Sequence, residues 1–437
     1  VTGIHYDDAT EPRFTYDYGA NGQAAYVKDA ELGRTVWTEY DTSERPIRTH
    51  LMESVTSTST GTPKYTSTLG YDEFGNVASF KEKVNNSASY ETAYTYNIEN
   101  QPTQLRFGAD NRKLTYTYDP IGRLYRRVAV GAANYTTQYA YFDPDPEDTI
   151  LTTPLVTSIT QNGQNFSYTY DNVGNITSVT RNGLTTTYEY DSLGQLTRDN
   201  DPHAGKSTMY LYDCGGNMTG YLSAPYTLAP TLEGVNETVF YTYGDSNWKD
   251  KVTAIGGKAI TYDAIGNPLT YDGWTFTWKA GRMLASMVKT GTNAQFTYDH
   301  NGLRIKKVVN GVTTNYTLNG KNVVHMTQGS HDLHFFYDAQ GKPGMVTYND
   351  VDYFYVYNLQ GDVVALIDAN GTQVVEYGYD ARGNPISKSG SMVATLGTEN
   401  LFRYREYVYD EETKLYYNKE CGIDGEKSLN EVKGELK

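Results

Sequence analysis

One phrase recurs along this 437-residue chain and limits what it can fold into: Tyr-x-Tyr-Asp-x-x-Gly-polar-apolar. It stands as YTYDPIGRL from Tyr116, YTYDNVGNI from Tyr168, YEYDSLGQL from Tyr188 and YLYDCGGNM from Tyr210. A further copy, YGYDARGNP, begins at Tyr377. A self-similar unit at a near-constant period marks a repeat architecture, which grows by adding units instead of enlarging one core.

Each position of the phrase has a physical role. Tyr168 and Tyr170 are two residues apart, so on a strand they share one face while Thr169 points to the other. Asp171 and Gly174 match the first and last positions of a type I turn. The Asp carboxylate accepts hydrogen bonds from backbone N–H groups further round such a turn, and glycine supplies a backbone conformation that strains other residues. The same role falls to Asp72 and Gly75, Asp119 and Gly122, Asp191 and Gly194, and Asp213 and Gly216. It falls again to Asp263 and Gly266, Asp299 and Gly302, Asp338 and Gly341, Asp380 and Gly383, and to Gly361 in a variant copy. The apolar residue two after the glycine (Leu124, Ile176, Leu196, Met218) starts the return strand. The phrase therefore predicts the tip of a β-hairpin.

Spacing converts the phrase into an architecture. The anchor tyrosines Tyr170, Tyr190 and Tyr212 are 20 and then 22 residues apart, and a similar spacing returns at Tyr337, Tyr357 and Tyr379. About 20 residues holds two strands of ordinary length plus two turns, so one repeat is one hairpin. Proline stands two after the turn glycine or its substitute at Pro46, Pro102, Pro268, Pro343 and Pro385. Proline cannot donate to a strand ladder, so this N–H position is expected to be unpaired.

Worn copies occupy the first hundred residues: Tyr40-Asp41 with Glu44 in the glycine place, and Tyr96-Asn97 with Asn100 there. Polar insertions near residues 54–62, 143–154 and 223–237 read as excursions at hairpin ends. Lys279 to Lys289 has helical composition, but Phe276 and Trp278 ahead of it read as a variant repeat. Ser428 to Glu431 carries a weak capping-box pattern. The expected organisation is a repeat array over residues 1–400, a distinct motif over 401–417 and a divergent polar tail over 418–437.

Composition narrows the function classes. Hydrophobic residues make up 38% of the chain while tyrosines number 42. That imbalance predicts a single-layer sheet wetted on both faces, with tyrosine rings covering the sheet and their hydroxyls in water. The formal net charge of −15 disfavours a phosphate backbone, so no nucleic-acid partner is expected. No apolar run reaches the 18 or more residues of a membrane-spanning helix. Cys214 and Cys421 are too few for a disulfide framework. The first residue is Val1 and no signal-like stretch follows, so any targeting segment is expected to be missing from this sequence.

At these residues the chain resembles the tyrosine-aspartate (YD) repeats of RHS, or rearrangement-hotspot, proteins and of teneurins. A second resemblance is more specific. Phe402, Arg403, Tyr404, Tyr407, Tyr409, Asp410, Glu412, Leu415, Tyr416 and Tyr417 are similar to the start of the RHS-associated core motif that closes the repeat region in bacterial members. Lys414 departs from it, standing where that motif usually has glycine, and the sequence from Asn418 no longer follows it. The resemblance implies an all-β fold: a ribbon of repeated β-hairpins wound into a hollow β-shell, closed or incomplete. It implies a non-enzymatic segment of a secreted or cell-surface bacterial protein of the polymorphic-toxin kind. Its partner would be a C-terminal toxin or effector domain, enclosed as cargo and encoded outside this chain. The family's self-cleavage residues have no counterparts here. Complete shells use more repeats, so a fragment or an open partial shell is expected.

Other chemical readings of the residues are weaker. Gly205-Lys206-Ser207 imitates the end of a phosphate-binding loop, but Asn200 stands where the earlier glycine is required. His331 and His334 flank Asp332 and invite a metal; three apart on a strand, they point to opposite faces and read as solvated. The acidic stretch Asp143 to Asp148 lacks the glycine-punctuated spacing of a calcium loop. The repeat aspartates form a row of equivalents, not one catalytic constellation. No catalytic, cofactor or metal residue is expected. The alternative function is adhesion, or binding of wall or surface glycans, through the tyrosine-rich face.

Overall fold

Every well-formed copy of the phrase folds as an antiparallel hairpin tip with the same hydrogen bonds. In the copy at Tyr168, the Gly174 N–H donates to the Asp171 carbonyl, and the Val173 and Asn175 N–H groups donate to Asp171 Oδ1 at 3.0 and 2.8 Å. The Asn175 side chain donates to Asp171 Oδ2 at 2.8 Å, so one carboxylate gathers the whole turn. Gly174 has φ 93, a left-handed conformation that a side chain would strain. In the worn copies Glu44 and Asn100 take left-handed values of 63 and 62.

The computed structural model describes residues 2–6, 11–53, 62–85, 89–143 and 152–417. The tail with Cys421 and the Ser428 capping pattern lies outside them, as do most of the loop at 54–62 and the acidic stretch beyond Asp143. Among the described residues the chain forms a 22-stranded sheet, a 14-stranded sheet and a two-stranded hairpin, with one short α-helix, Leu396–Glu399. The first sheet runs from Gly3–Ile4 to Lys258–Ala259 and the second from Thr261–Tyr262 to Pro385–Ser389. Within each sheet the strands follow chain order, each paired antiparallel with the next, as a ribbon of hairpins requires. Lys279 to Lys289 joins the strands Trp274–Lys279 and Met283–Lys289, so the variant-repeat reading describes it and the helical one does not.

A β-bulge follows the second tyrosine of each unit. Thr169 pairs with Ser178, but Tyr170 pairs with Ile176, which leaves Thr177 as the extra residue. The same shift recurs at Tyr118, Tyr190, Tyr212, Tyr357 and Tyr379. Bulges bend a strand and increase its twist, so a bulge in each repeat turns a long ribbon steadily instead of leaving it flat.

The bulge sets the place of a bond that joins one repeat to the next. The Tyr190 hydroxyl donates to the Ile176 carbonyl at 2.9 Å, and Tyr212 does the same to Leu196 at 2.9 Å. Tyr71 reaches Pro46, Tyr118 reaches Pro102 and Tyr379 reaches Val363. Where the tyrosine is replaced by Trp278, the indole N–H donates to Pro268. The proline sites are thus first residues of return strands whose carbonyls accept from the following unit. Tyrosine hydroxyls expected in water are instead internal donors.

The expectation of one sheet wetted on both faces also fails for the second sheet. Its strands from Asn322–Gln328 to Gln373–Tyr379 are buried almost throughout. Period-two alternation divides them between two cores. Phe336, Met345, Phe354, Val356 and Ile367 pack against Leu105, Phe107, Leu114 and Tyr135 of the first sheet. Phe335, Tyr337, Tyr355, Tyr357 and Leu366 pack on the other side against Leu396, Leu401, Phe402 and Val408. The second sheet is thus covered by the first sheet on one side and by the C-terminal segment, joined by Tyr65 and Val84 of the first sheet, on the other. In the first sheet, strands such as Ile176–Arg181 keep an exposure between buried and open.

Replacing Tyr190 with Phe removes one inter-repeat bond and keeps the ring. The expected loss is about 1 kcal/mol, the net worth of one such bond, read as a lower urea midpoint with an unchanged circular-dichroism spectrum.

Candidate functional site

The sequence places its most specific motif at the end of the array, and the fold seats it on the face of the second sheet that carries Phe335, Tyr355 and Leu366. Phe402 is 1% exposed, with its ring edge-on to Phe335 at 5.2 Å and to Tyr337 and Tyr355 at 6.2 Å. Arg403, 2% exposed, lies 4.1 Å from the centre of the Tyr377 ring. Its guanidinium donates to the carbonyls of Gly397 and Asn400, and its own carbonyl accepts from the Val363 N–H. The following turn is strained: Arg405 and Glu406 have φ 48 and 63. The Arg405 N–H donates to Asp362, and Glu406 pairs with Lys342 at 2.8 Å.

Tyr404 and Tyr416 read a turn of the repeat itself. A Cβ at Gly383 would lie 2.4 Å from the Tyr404 ring, and the Tyr416 hydroxyl donates to the Gly383 carbonyl at 2.9 Å. Glycine at this tip therefore serves close approach as well as backbone conformation. The Tyr407 carbonyl accepts from the Arg403 N–H, closing the turn that begins the hairpin Val408–Asp410 and Leu415–Tyr417. Tyr409 and Tyr416 face one another across it with ring centres 4.9 Å apart. Lys414 takes φ 62 in the connecting turn, which accounts for a preference for glycine there.

The hairpin is fixed by buried charges. Asp410 receives two bonds from the Arg304 guanidinium, at 2.6 and 3.1 Å, and one from Lys307 at 2.9 Å. Lys307 also reaches Glu412 at 2.8 Å. The Arg304, Lys307 and Asp410 side chains are each at most 7% exposed. Burial alone would favour neutral Asp410, but the two adjacent cations hold its carboxyl below the usual carboxylate range. The Tyr417 ring lies 4.4 Å from the Arg304 guanidinium, and its hydroxyl accepts the Arg304 N–H. Leu415 packs beside the neighbouring core.

Next to the motif, a cavity of about 730 Å³ separates the first sheet from the second. Asp199 and Asp201 enter it from one wall, Asp362 and Asp380 from the other. The Tyr210 hydroxyl donates to Asp199 at 2.5 Å, and Arg382 stacks on Tyr221 at 3.9 Å. Burial, with Asp380 and Asp201 nearby, pushes the Asp199 carboxyl up to about 6 against the pull of Tyr210.

The repeat residues fall in one row. Asp72, Asp119, Asp171, Asp191, Asp213, Asp263, Asp299, Asp338 and Asp380 each accept at a hairpin tip. Gly75, Gly122, Gly174, Gly194, Gly216, Gly266, Gly302, Gly341, Gly361 and Gly383 all have positive φ. Hydrogen bonds from Asn217 hold the exposed Asp213 carboxyl below its ordinary value. Asp368 and Gly371 form one more such turn, without the preceding tyrosine pair that signals the others. Arg304 and Lys307 carried no sequence signal, because their partner lies more than 100 residues away.

The expectation of two solvated histidines is corrected. His331 and His334 do face opposite ways, but His334 is 1% exposed and bonded to Glu82, while His331 meets Tyr348. Among the described residues, no group of three or more His, Cys, Asp or Glu side chains is placed to hold a metal ion. No described helix is long and apolar enough to cross a membrane.

A profile of the teneurin YD-shell family matches residues 157–425, well over half of the chain. The chain belongs to the teneurin YD-shell family. It is 34% identical over 215 residues to the tRNA nuclease WapA of Bacillus subtilis strain 168, a match spanning 48% of this chain and 9% of that protein. The tRNA3(Ser)-specific nuclease WapA of Bacillus spizizenii is 35% identical over the same length and shares. Among solved structures, the TcdB2–TccC3 crystal structure matches with a TM-score of 0.56 at 16% identity, covering 93% of this chain and 26% of that one. The Photorhabdus luminescens Tc holotoxin pore gives 0.54 at 15%, with the same coverage. The chain thus spans about a quarter of the matched chains in these two solved structures and under a tenth of the nuclease relatives.

Two outcomes test the site. Arg304→Met leaves Asp410 with Lys307 as its remaining buried cation. It should lower stability, read as the urea midpoint, by up to the ~3–5 kcal/mol of a broken buried pair, while replacing all three, Arg304→Met, Lys307→Met and Asp410→Leu, should recover most of the loss. The second concerns pH. Near pH 5 the folded state holds a proton on Asp199 that the unfolded chain has released, so this group's stabilisation is present below the folded value of about 6 and lost as pH rises through it. Wild type should therefore gain stability relative to Asp199→Asn when urea midpoints are compared at neutral pH and about one unit below that value.

Proposed function

We propose that this chain is a wall segment of a bacterial RHS-type shell, secreted or displayed at the cell surface, that encloses and presents a C-terminal toxin or effector. The segment itself would do no catalysis: its repeated carboxylates are committed to turns, and its role is enclosure. The observation that carries this reading is the seat of residues 402–417. The motif that follows the array turns back onto the face of the second sheet that carries Phe335, Tyr355 and Leu366 and is held by Arg304 and Lys307. In this reading that face is the enclosed one, and polypeptide following the hairpin would start beside it.

The likeness to WapA proteins named as tRNA nucleases supports a toxin link, over a stretch that is 9% of each of those proteins. The glycan alternative loses its motivating feature, since the rings that were to meet sugars are mostly packed. The large exposed apolar side chains include three tyrosines, Tyr18, Tyr125 and Tyr226.

Purified chain incubated with total tRNA should leave it intact on a denaturing gel; cleavage would refute the non-enzymatic reading. The complete polypeptide that carries this segment should show, by electron cryomicroscopy, a β-walled chamber containing density beyond the motif, and an empty or open wall would refute enclosure.

A further inference from the structure

The hairpin ribbon has two edges, and the fold uses them unequally. The aspartate turns lie along one, the tip edge. Along the other, turns such as Asn162-Gly163 join each return strand to the next unit. Neighbouring tips of the first sheet are bonded side by side: the Asn76 side chain donates to Asn100 at 2.9 Å, and Gln101 donates to the Gly122 carbonyl at 2.7 Å. Beyond these bonds project Phe74, Ile98, Ile121, Val173 and Leu193, between 56% and 95% exposed. Each stands inside its turn, where neither the turn bonds nor the strand ladder requires an apolar residue.

The second sheet shows what a tip does when it has a neighbour. Its tips reach the opposite edge of the first sheet at several places along the ribbon. The Tyr357 carbonyl accepts from Gln161 at 2.6 Å, the Tyr298 carbonyl accepts from Arg13 at 3.2 Å, and Lys279 meets Glu31 at 3.3 Å. Leu359, second in its turn, packs beside Val156, Ile159 and Tyr168. Ile98, also second in its turn but in the first sheet, meets solvent. The second sheet's own opposite edge offers a comparable seat, since Val288, Val312 and Val351 are exposed beside its turns. Both edges keep the two-strand period of the ribbon, roughly 10 Å, so a row of tips and a row of opposite turns match in spacing.

We propose that the tip edge of the first sheet docks on a second copy of this chain, against the opposite edge of that copy's second sheet around Val312 and Val351. The joint repeats between copies the contact that the two sheets make within one. Charge disfavours pairing tip to tip, because the exposed Glu73 and Glu99 would then face their own counterparts. The contact is heterologous and leaves one edge of each kind free at the ends, so it grows open chains instead of closing a dimer. A joint of a few apolar side chains is small, and association in the micromolar range is expected.

Sedimentation velocity of the intact chain should show an average mass that rises with concentration through the micromolar range. Val173→Asp with Leu193→Asp places charge in the row, and Val312→Asp with Val351→Asp places it in the seat. Each pair should weaken association by about tenfold or more, and all four positions are exposed, so the fold should be kept. Mixed, the two variants should form a dimer and no longer chain, because the intact row of one meets the intact seat of the other. A wild type that stays monomeric, undiminished association in either variant, or no dimer in the mixture overturns the proposal. Should a variant fail to fold, the wild type decides. Concentrating it should slow amide exchange at residues 171–175, 191–195 and 310–312, and unchanged exchange there overturns the proposal equally. The joint rests on the edges of the ribbon and on no cargo, so it and the enclosure reading fail separately.

Discussion

The hydrogen bond from the second tyrosine of each unit to the backbone of the unit before it is the constraint on which the rest depends. A hairpin ribbon has ladder bonds across its strands whatever its curvature. The tyrosine bond is different because it fixes the bulge at which the ribbon bends. The carbonyl of Ile176 or Leu196 stands where the register shifts, and the next tyrosine covers and satisfies it. Curvature is thereby written once per repeat. The aspartate that follows the tyrosine gathers the turn, and the glycine ends it in a conformation that few other residues take without strain.

Curvature brings distant strands together, and charge decides how they hold. Three buried carboxylates at the interfaces show how partners set behaviour. Asp410 is surrounded by Arg304 and Lys307 and stays ionised. Asp199 is buried, with other acids nearby, and its carboxyl is pushed up to about 6. Glu82 shares its two oxygens between a phenol and an imidazole. The same residue chemistry thus gives an ionic rivet at Asp410, a carboxyl with raised proton affinity at Asp199 and a hydrogen-bonded joint between the sheets at Glu82.

Local features were legible in the sequence because their causes are local. Hairpin tips, the period, the left-handed substitutes Glu44 and Asn100 and the strand identity of Phe276 and Trp278 all follow from residues within one repeat. The errors arose where a distant partner decides. Low overall hydrophobicity suggested a wetted sheet, but averaging hid the difference between strands such as Ile176–Arg181, half-exposed throughout, and Pro343–Tyr348, buried throughout. Composition points the tyrosine hydroxyls to water because their acceptor, a backbone carbonyl one repeat earlier, has no side-chain signature. His334 read as solvated for want of any sign of Glu82. Of the candidate site, the motif was visible as a resemblance; its seat on Arg304, Lys307 and Gly383 was not.

The alternation in the second sheet has an evolutionary consequence. Units that look interchangeable in sequence are not so in place. A unit of the first sheet such as the one carrying Ile176–Arg181 can lose or gain apolar character at small cost, since its side chains are half-exposed. Around Phe354 and Tyr355, one residue faces the outer wall and its neighbour faces the C-terminal segment. Duplication or recombination that inserts an outer unit there would bring polar side chains into two cores at once. Recombination among copies should therefore leave a graded history, with the outer hairpins freely exchanged and the inner ones inherited as a block.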